Sequence, residues 1–74
     1  MEKLAEMQIM IRGWIELYGL AAIKEQTKLS AHHIRKTYNT LTPDMAHVTV
    51  VVTCCRAMDA ERAAKVTEQI QKLA

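Results

Sequence analysis

Three groups of side chains in this 74-residue sequence have the chemistry to do more than pack: the adjacent pair His32-His33, the adjacent pair Cys54-Cys55, and a run of cations at Lys24, Lys28, Arg35 and Lys36. Imidazole and thiolate are good zinc ligands, but structural zinc sites use C-x2-C or H-x3-H spacings. Neighbouring residues on a helix point about 100° apart, which follows from 3.6 residues per turn. No metal site and no cofactor are therefore expected. Cys55 reads as a small core residue and Cys54 as a borderline one. Catalysis has less support still. There is no Gly-rich phosphate loop, the carboxylates are scattered, and no nucleophile, base and orienting group can be assembled. The expectation is that the protein is not an enzyme and takes no small-molecule ligand. His47, beside a valine run, reads as a satisfied helix histidine, and Trp14 as core.

The cations are the more informative group. The chain carries a formal charge of +2. Residues 19–36 hold Lys24, Lys28, Arg35 and Lys36 against Glu25, a local +3, so +2 minus +3 leaves −1 for the rest. A basic surface on a nearly neutral protein suits a polyanion docked at one face. The bland alternative is an ordinary solvated helix face.

The elements that position these cations follow from periodicity. Leu4, Met7, Ile11, Trp14, Ile15 and Tyr18 recur at steps of three and four and predict an amphipathic helix over Glu2 to Tyr18. Ile9 and Met10 fall off its stripe. Gly19 is expected to end it in the left-handed conformation of a C-terminal cap. Leu20 to Thr27 predicts a second helix with Ile23 and Thr27 inward. Lys28-Leu29-Ser30 is the break, with Leu29 as the apolar plug and Ser30 as the N-cap of a third helix, Ala31 to about Tyr38. In that helix Ile34 and Tyr38 face inward, leaving Ala31, His32, Arg35, Lys36 and Asn39 for solvent or ligand.

Asn39 to Thr42 reads as a polar connection. Thr42-Pro43-Asp44 then offers a hydroxyl cap, a proline for the first turn and an acid near the positive helix end. In the fourth segment Met45, Val48, Val51, Val52, Cys55 and Met58 make one helical face, although Val48 to Thr53 is a β-branched run more common in strands. A helix is expected there, with a strand over 47–55 as the alternative. Asp59 is expected to cap a last helix, residues 60–74, whose stripe of Ala63, Val66, Ile70 and Leu73 packs on a second protomer or lies over the core.

An all-α single domain of about five short helices is the result, with 59–74 as a packing or dimerisation helix. Phe is absent and only Trp14, Tyr18 and Tyr38 are aromatic, so Leu, Ile, Val, Met and Ala must build the core. A chain this short buries only roughly 60% of the surface its unfolded form exposes, and a homodimer would relieve that. Adjacent cysteines cannot easily staple a secreted fold, and no basic-then-apolar leader pattern precedes the first helix, so a cytoplasmic setting is expected. The longest uncharged apolar-rich run, 45–55, is well short of the ~20 residues of a membrane span, and no membrane role is expected.

The stretch IELYGLAAIKEQTKLSAHHIRKTYN resembles the helix-turn-helix of small phage and bacterial regulators in the lambda repressor-like superfamily, of the Cro/CII-like kind. The matching residues are Gly19 before helix two, Ile23 and Thr27 inward, Leu29-Ser30 in the turn, Ile34 central in helix three, and Tyr38-Asn39 at its end. The likeness runs from Ile15 to about Met58. Lys24 stands where a small residue, usually Ala, is the rule, and Lys28 where the turn Gly is. Lys24 must then pass its stem along helix three, and the turn must tolerate a side chain.

The resemblance implies a transcriptional regulator that binds double-stranded DNA with helix three in the major groove. With the winged form as the alternative if 47–55 is a strand, the implied readers are Ser30, Ala31, His32, Arg35, Lys36 and Asn39. Arg35 or Lys36 suits guanine O6 and N7, Asn39 suits adenine, and the Ala31 methyl suits a thymine methyl. Lys24 and Lys28 suit phosphates. A homodimer would set two such helices ~34 Å apart on a palindromic operator. The rival reading is a small dimeric helical adaptor or phage-encoded inhibitor that does not bind DNA, supported by the apolar excess on helix one and at Val50.

Overall fold

The computed structural model describes residues 2–73, and Ala74, expected to end the last helix, lies outside them. Four helices occur among the described residues: α1 (Glu2–Tyr18), α2 (Leu20–Thr27), α3 (Ala31–Lys36) and α4 (Met45–Leu73). The chain is all-helical, and the described residues contain no strand.

The core is made where the four apolar stripes converge. Ile11 and Trp14 come from α1, Ile23 from α2, Ile34 from α3, and Val48, Val51, Val52 and Cys55 from α4. Met7, Ile15, Tyr18, Leu20, Leu29 and Tyr38 pack around them, half-buried. Leu29 thus plugs the turn, as its position between two short helices demands. Ile9 and Met10 are exposed, as their place off the α1 stripe implies.

Residues 47–55 are helical, which removes the strand alternative. Alternation in a strand would split Val48, Val51 and Val52 between two faces, and no partner strand exists among the described residues. Helical spacing gathers all three with Cys55 on one buried face. Burying each side chain is worth ~1.5–3 kcal/mol, more than the few tenths per residue that β-branching costs a helix.

Four helices, rather than about five, result because the fourth and last segments are one continuous helix of 29 residues. Asp59 does not cap a new helix. Its carboxylate is turned sideways, with Oδ2 accepting from Trp14 Nε1 at 2.9 Å and Oδ1 from the Tyr18 hydroxyl. Nothing between Cys55 and Leu73 breaks the helix, and Ala57, Ala60, Ala63 and Ala64 favour it. Two further expectations shift at its start. Asp44 is the cap, accepting from the Ala46 amide at 2.9 Å, while Thr42 forms a local turn with Thr40. Met45 is exposed, because the core begins one turn later at Val48.

Gly19 has a positive φ, but with φ 89° and ψ 147° it lies outside the left-handed helical region. That backbone region is essentially restricted to glycine. Its amide donates to the Ile15 carbonyl at 2.9 Å and its carbonyl accepts from the Ile23 amide at 3.3 Å, so one residue closes α1 and opens α2.

The Asp59 cluster makes stability pH-dependent. The hydrogen bonds from Tyr18 and Trp14, with Arg62 nearby, hold the Asp59 carboxyl below its ordinary range. The same bond, followed by desolvation, raises Tyr18 above its ordinary value. A depressed acid gives stability that is complete above the unfolded pKa of about 3.9 and is lost as pH falls through the folded one. A raised phenol gives stability that is complete below about pH 10 and is lost at higher pH as the folded form titrates. Asp59→Asn should therefore lower the urea midpoint at neutral pH and flatten its decline below about pH 4. Parallel wild-type and mutant acid limbs would contradict this role.

Candidate nucleic-acid interface

Six residues are too few to form a stable helix in isolation, so α3 is held by what surrounds it. At its start, Ser30 adopts an extended conformation and its Oγ accepts from the His33 amide at 3.3 Å, the cap that its position predicts. In its middle, Ile34 is fully buried. At its end the last turn tightens, with the Thr37 and Tyr38 amides donating to the Ile34 and Arg35 carbonyls. Helix α3 thus closes at Lys36 rather than near Tyr38, and Tyr38 packs against the core from the turn beyond it.

Three residues that the sequence pattern does not single out hold this end in place. Thr37 is 1% exposed and satisfies its hydroxyl by donating to the Ile34 carbonyl at 2.6 Å. Gln8 Nε2 of α1 donates to the Thr37 and Thr40 carbonyls at 3.2 and 2.7 Å. Arg12 donates to the Tyr38 carbonyl at 3.5 Å, with its guanidinium 5.4 Å from the Tyr38 ring centre. A polar residue on α1 gives no local clue that it will grip a segment 29 or 32 positions away.

The turn between α2 and α3 accommodates both lysines. Lys28 adopts the left-handed conformation, φ 62° and ψ 18°, and its amide donates to the Lys24 carbonyl at 2.9 Å. A lysine in the usual glycine position is therefore built with its side chain outward, at a conformational cost of ~1–2 kcal/mol. Thr27 helps to fix the turn: its hydroxyl donates to the Ile23 carbonyl at 2.7 Å and accepts from the Leu29 amide at 3.2 Å. Lys24 is exposed.

Of the candidate residues, Lys24, Lys28, Ser30, His32, Arg35, Lys36 and Asn39 are exposed, and Ala31 is half-buried. His32, Arg35 and Lys36 extend from α3 itself. Asn39 lies in the turn beyond the helix, on the same side as Lys36, since both line one cleft. Ser30 is committed to capping.

That cleft, about 380 Å³, lies between the end of α3 and the start of α4. His33 and His47 both line it, with ring centres 4.8 Å apart and planes tilted by 50°. His33 Nδ1 is 3.0 Å from Ser30 Oγ, and His47 Nδ1 is 3.9 Å from an Asp44 oxygen. The sequence singles out His33 only beside His32 and reads His47 alone; their pairing, fourteen positions apart, arises only when α3 packs on α4. The described residues contain no group of three or more His, Cys, Asp or Glu side chains arranged to hold a metal ion.

Away from this surface, Cys55 is buried, which pushes its thiol up to about 11, and Cys54 is half-exposed with Sγ 3.6 Å from the Gln26 carbonyl. From Ala60 to Leu73 every residue of α4 is exposed. No described helix is long and apolar enough to cross a membrane. Compared with family models, curated proteins and solved structures, the chain matches none of them.

Proposed function

We propose that this protein is a sequence-specific double-stranded DNA-binding regulator of the lambda repressor-like kind, with α2, the 28–30 turn and α3 acting as a helix-turn-helix. One observation carries the reading. Helix α3 is anchored by Ile34 alone among its residues, and on either side of that anchor it presents His32, Arg35 and Lys36 to solvent. A short helix tethered on one narrow stripe and basic on the rest suits the major groove. The turn adds support, because the lysine at position 28 is accommodated by a left-handed residue and leaves its ammonium free to meet a phosphate.

In this reading Arg35 and Lys36 read guanine edges or grip the flanking backbone, Asn39 sits at the distal end of the reading surface, and Lys24 and Lys28 set register on phosphates. Protomers pair through the exposed end of α4. Val48, Val52, Cys55, Asp59, Ala63, Val66, Ile70 and Leu73 follow one another at steps of three and four, so the core-facing stripe continues past the point where the other helices end. Val66, Ile70 and Leu73 remain exposed there. The same stripe supports the second reading, an adaptor that binds a helical protein and no DNA.

Salt dependence separates the two. Fluorescence anisotropy with duplex DNA should give a log affinity against log salt slope of about −3 or steeper, at about −0.9 per phosphate contacted. A slope near zero would favour the adaptor.

A further inference from the structure

We infer that the cleft between α3 and α4 is a proton-linked oxyanion site, binding a phosphate-type group when His33 and His47 are protonated. The charged and titratable groups that line it are His33 and Lys36 from α3, Asp44 from the connection, and His47 from α4; Asn39 and Thr40 add neutral donors. His32 stands behind His33, with ring centres 5.8 Å apart. Lys36 and Asp44 cancel. With neutral rings the cleft is uncharged, and with both rings protonated it carries two positive charges.

The geometry couples proton and anion. Ring centres 4.8 Å apart bring two imidazolium charges close enough to repel, and Asp44, at 3.9 Å from His47 and partly engaged as the α4 cap, compensates only one side. A dianion in the cleft relieves that repulsion, so binding it and protonating the second ring favour each other. Ser30 Oγ lies 3.0 Å from His33 Nδ1, so on a protonated ring the N–H left to donate is that of Nε2.

The site does not depend on the DNA reading. If that reading holds, the natural anion is a backbone phosphate beside α3, because Lys36 and Asn39 belong to both surfaces. Otherwise it is a free phosphate ester.

The test uses the whole chain, with sulfate as the probe and chloride at equal ionic strength as the control, following the imidazole NMR signals. Sulfate remains a dianion throughout, so any pH dependence belongs to the protein. Saturable movement of the His33 and His47 signals is expected at about pH 5.5, with affinity at least about tenfold weaker at about pH 8. His47→Gln should remove most of that pH dependence. Should this variant lose its fold, Lys36→Ala, at an exposed position, should weaken sulfate binding several-fold while the helical circular dichroism stays unchanged. Movement no greater than in chloride, or equal affinity at both pH values, would overturn the inference. A short duplex that moves the same two signals identifies the anion as a backbone phosphate; sulfate binding without a duplex response upholds the cleft and tells against the DNA reading.

Discussion

Replacing Arg35 and Lys36 together with alanine should lower affinity for duplex DNA by about two orders of magnitude or more, since each lost base contact costs ~1–3 kcal/mol. Both side chains are exposed, and the Arg35 backbone bonds that close α3 survive the substitution. Alanine also has the highest helix propensity. The circular dichroism spectrum and the urea midpoint should therefore remain close to wild type, which separates loss of recognition from loss of fold. Lys36→Ala alone should reduce the salt slope by about one if Lys36 contacts a phosphate. A double variant that still binds duplex like the wild type would remove α3 as the reading helix.

The second large effect is on stability. Ile34→Ala should cost ~2–5 kcal/mol, the range for truncating a buried isoleucine. A domain of this size has roughly 4–11 kcal/mol in total, at about 0.05–0.15 kcal/mol per residue. Ile34 is fully buried, and its carbonyl accepts from both the Thr37 amide and the Thr37 hydroxyl, so it ties α3 to the core and to the turn that follows. Its truncation leaves a void beneath a six-residue helix that has little stability of its own. Urea unfolding should show the loss directly, and DNA affinity should fall with it although no exposed group has changed. A loss below about 1 kcal/mol would mean that α3 is held chiefly by Gln8, Arg12 and its caps instead.

The bounds of α1 and α2, the burial of Ile11, Trp14, Ile23, Ile34, Val48, Val51 and Val52, and the Ser30 cap were legible because each follows from local spacing or local hydrogen-bond demand. The continuity of α4 was not. Asp59 has the side chain of a cap, and only the approach of Trp14 and Tyr18 from α1 commits it elsewhere. Thr42 and Asp44 were both competent to start α4, and the choice rested on backbone geometry in a connection whose anchors, Gln8 and Arg12, lie in α1. The candidate surface was legible as a basic run, whereas the His33–His47 cleft was not, since packing across fourteen positions of chain has no period to read.

DNA reading by α2 and α3 is tested most directly by footprinting of the purified protein on duplex DNA around its own gene at roughly 50 and 200 mM salt, a range over which several phosphate contacts lose most of their affinity. Two protected half-sites, about one helical turn or ~34 Å apart, are expected at the lower salt, with weakened protection at the higher. No protection at the lower salt would contradict DNA reading by these helices.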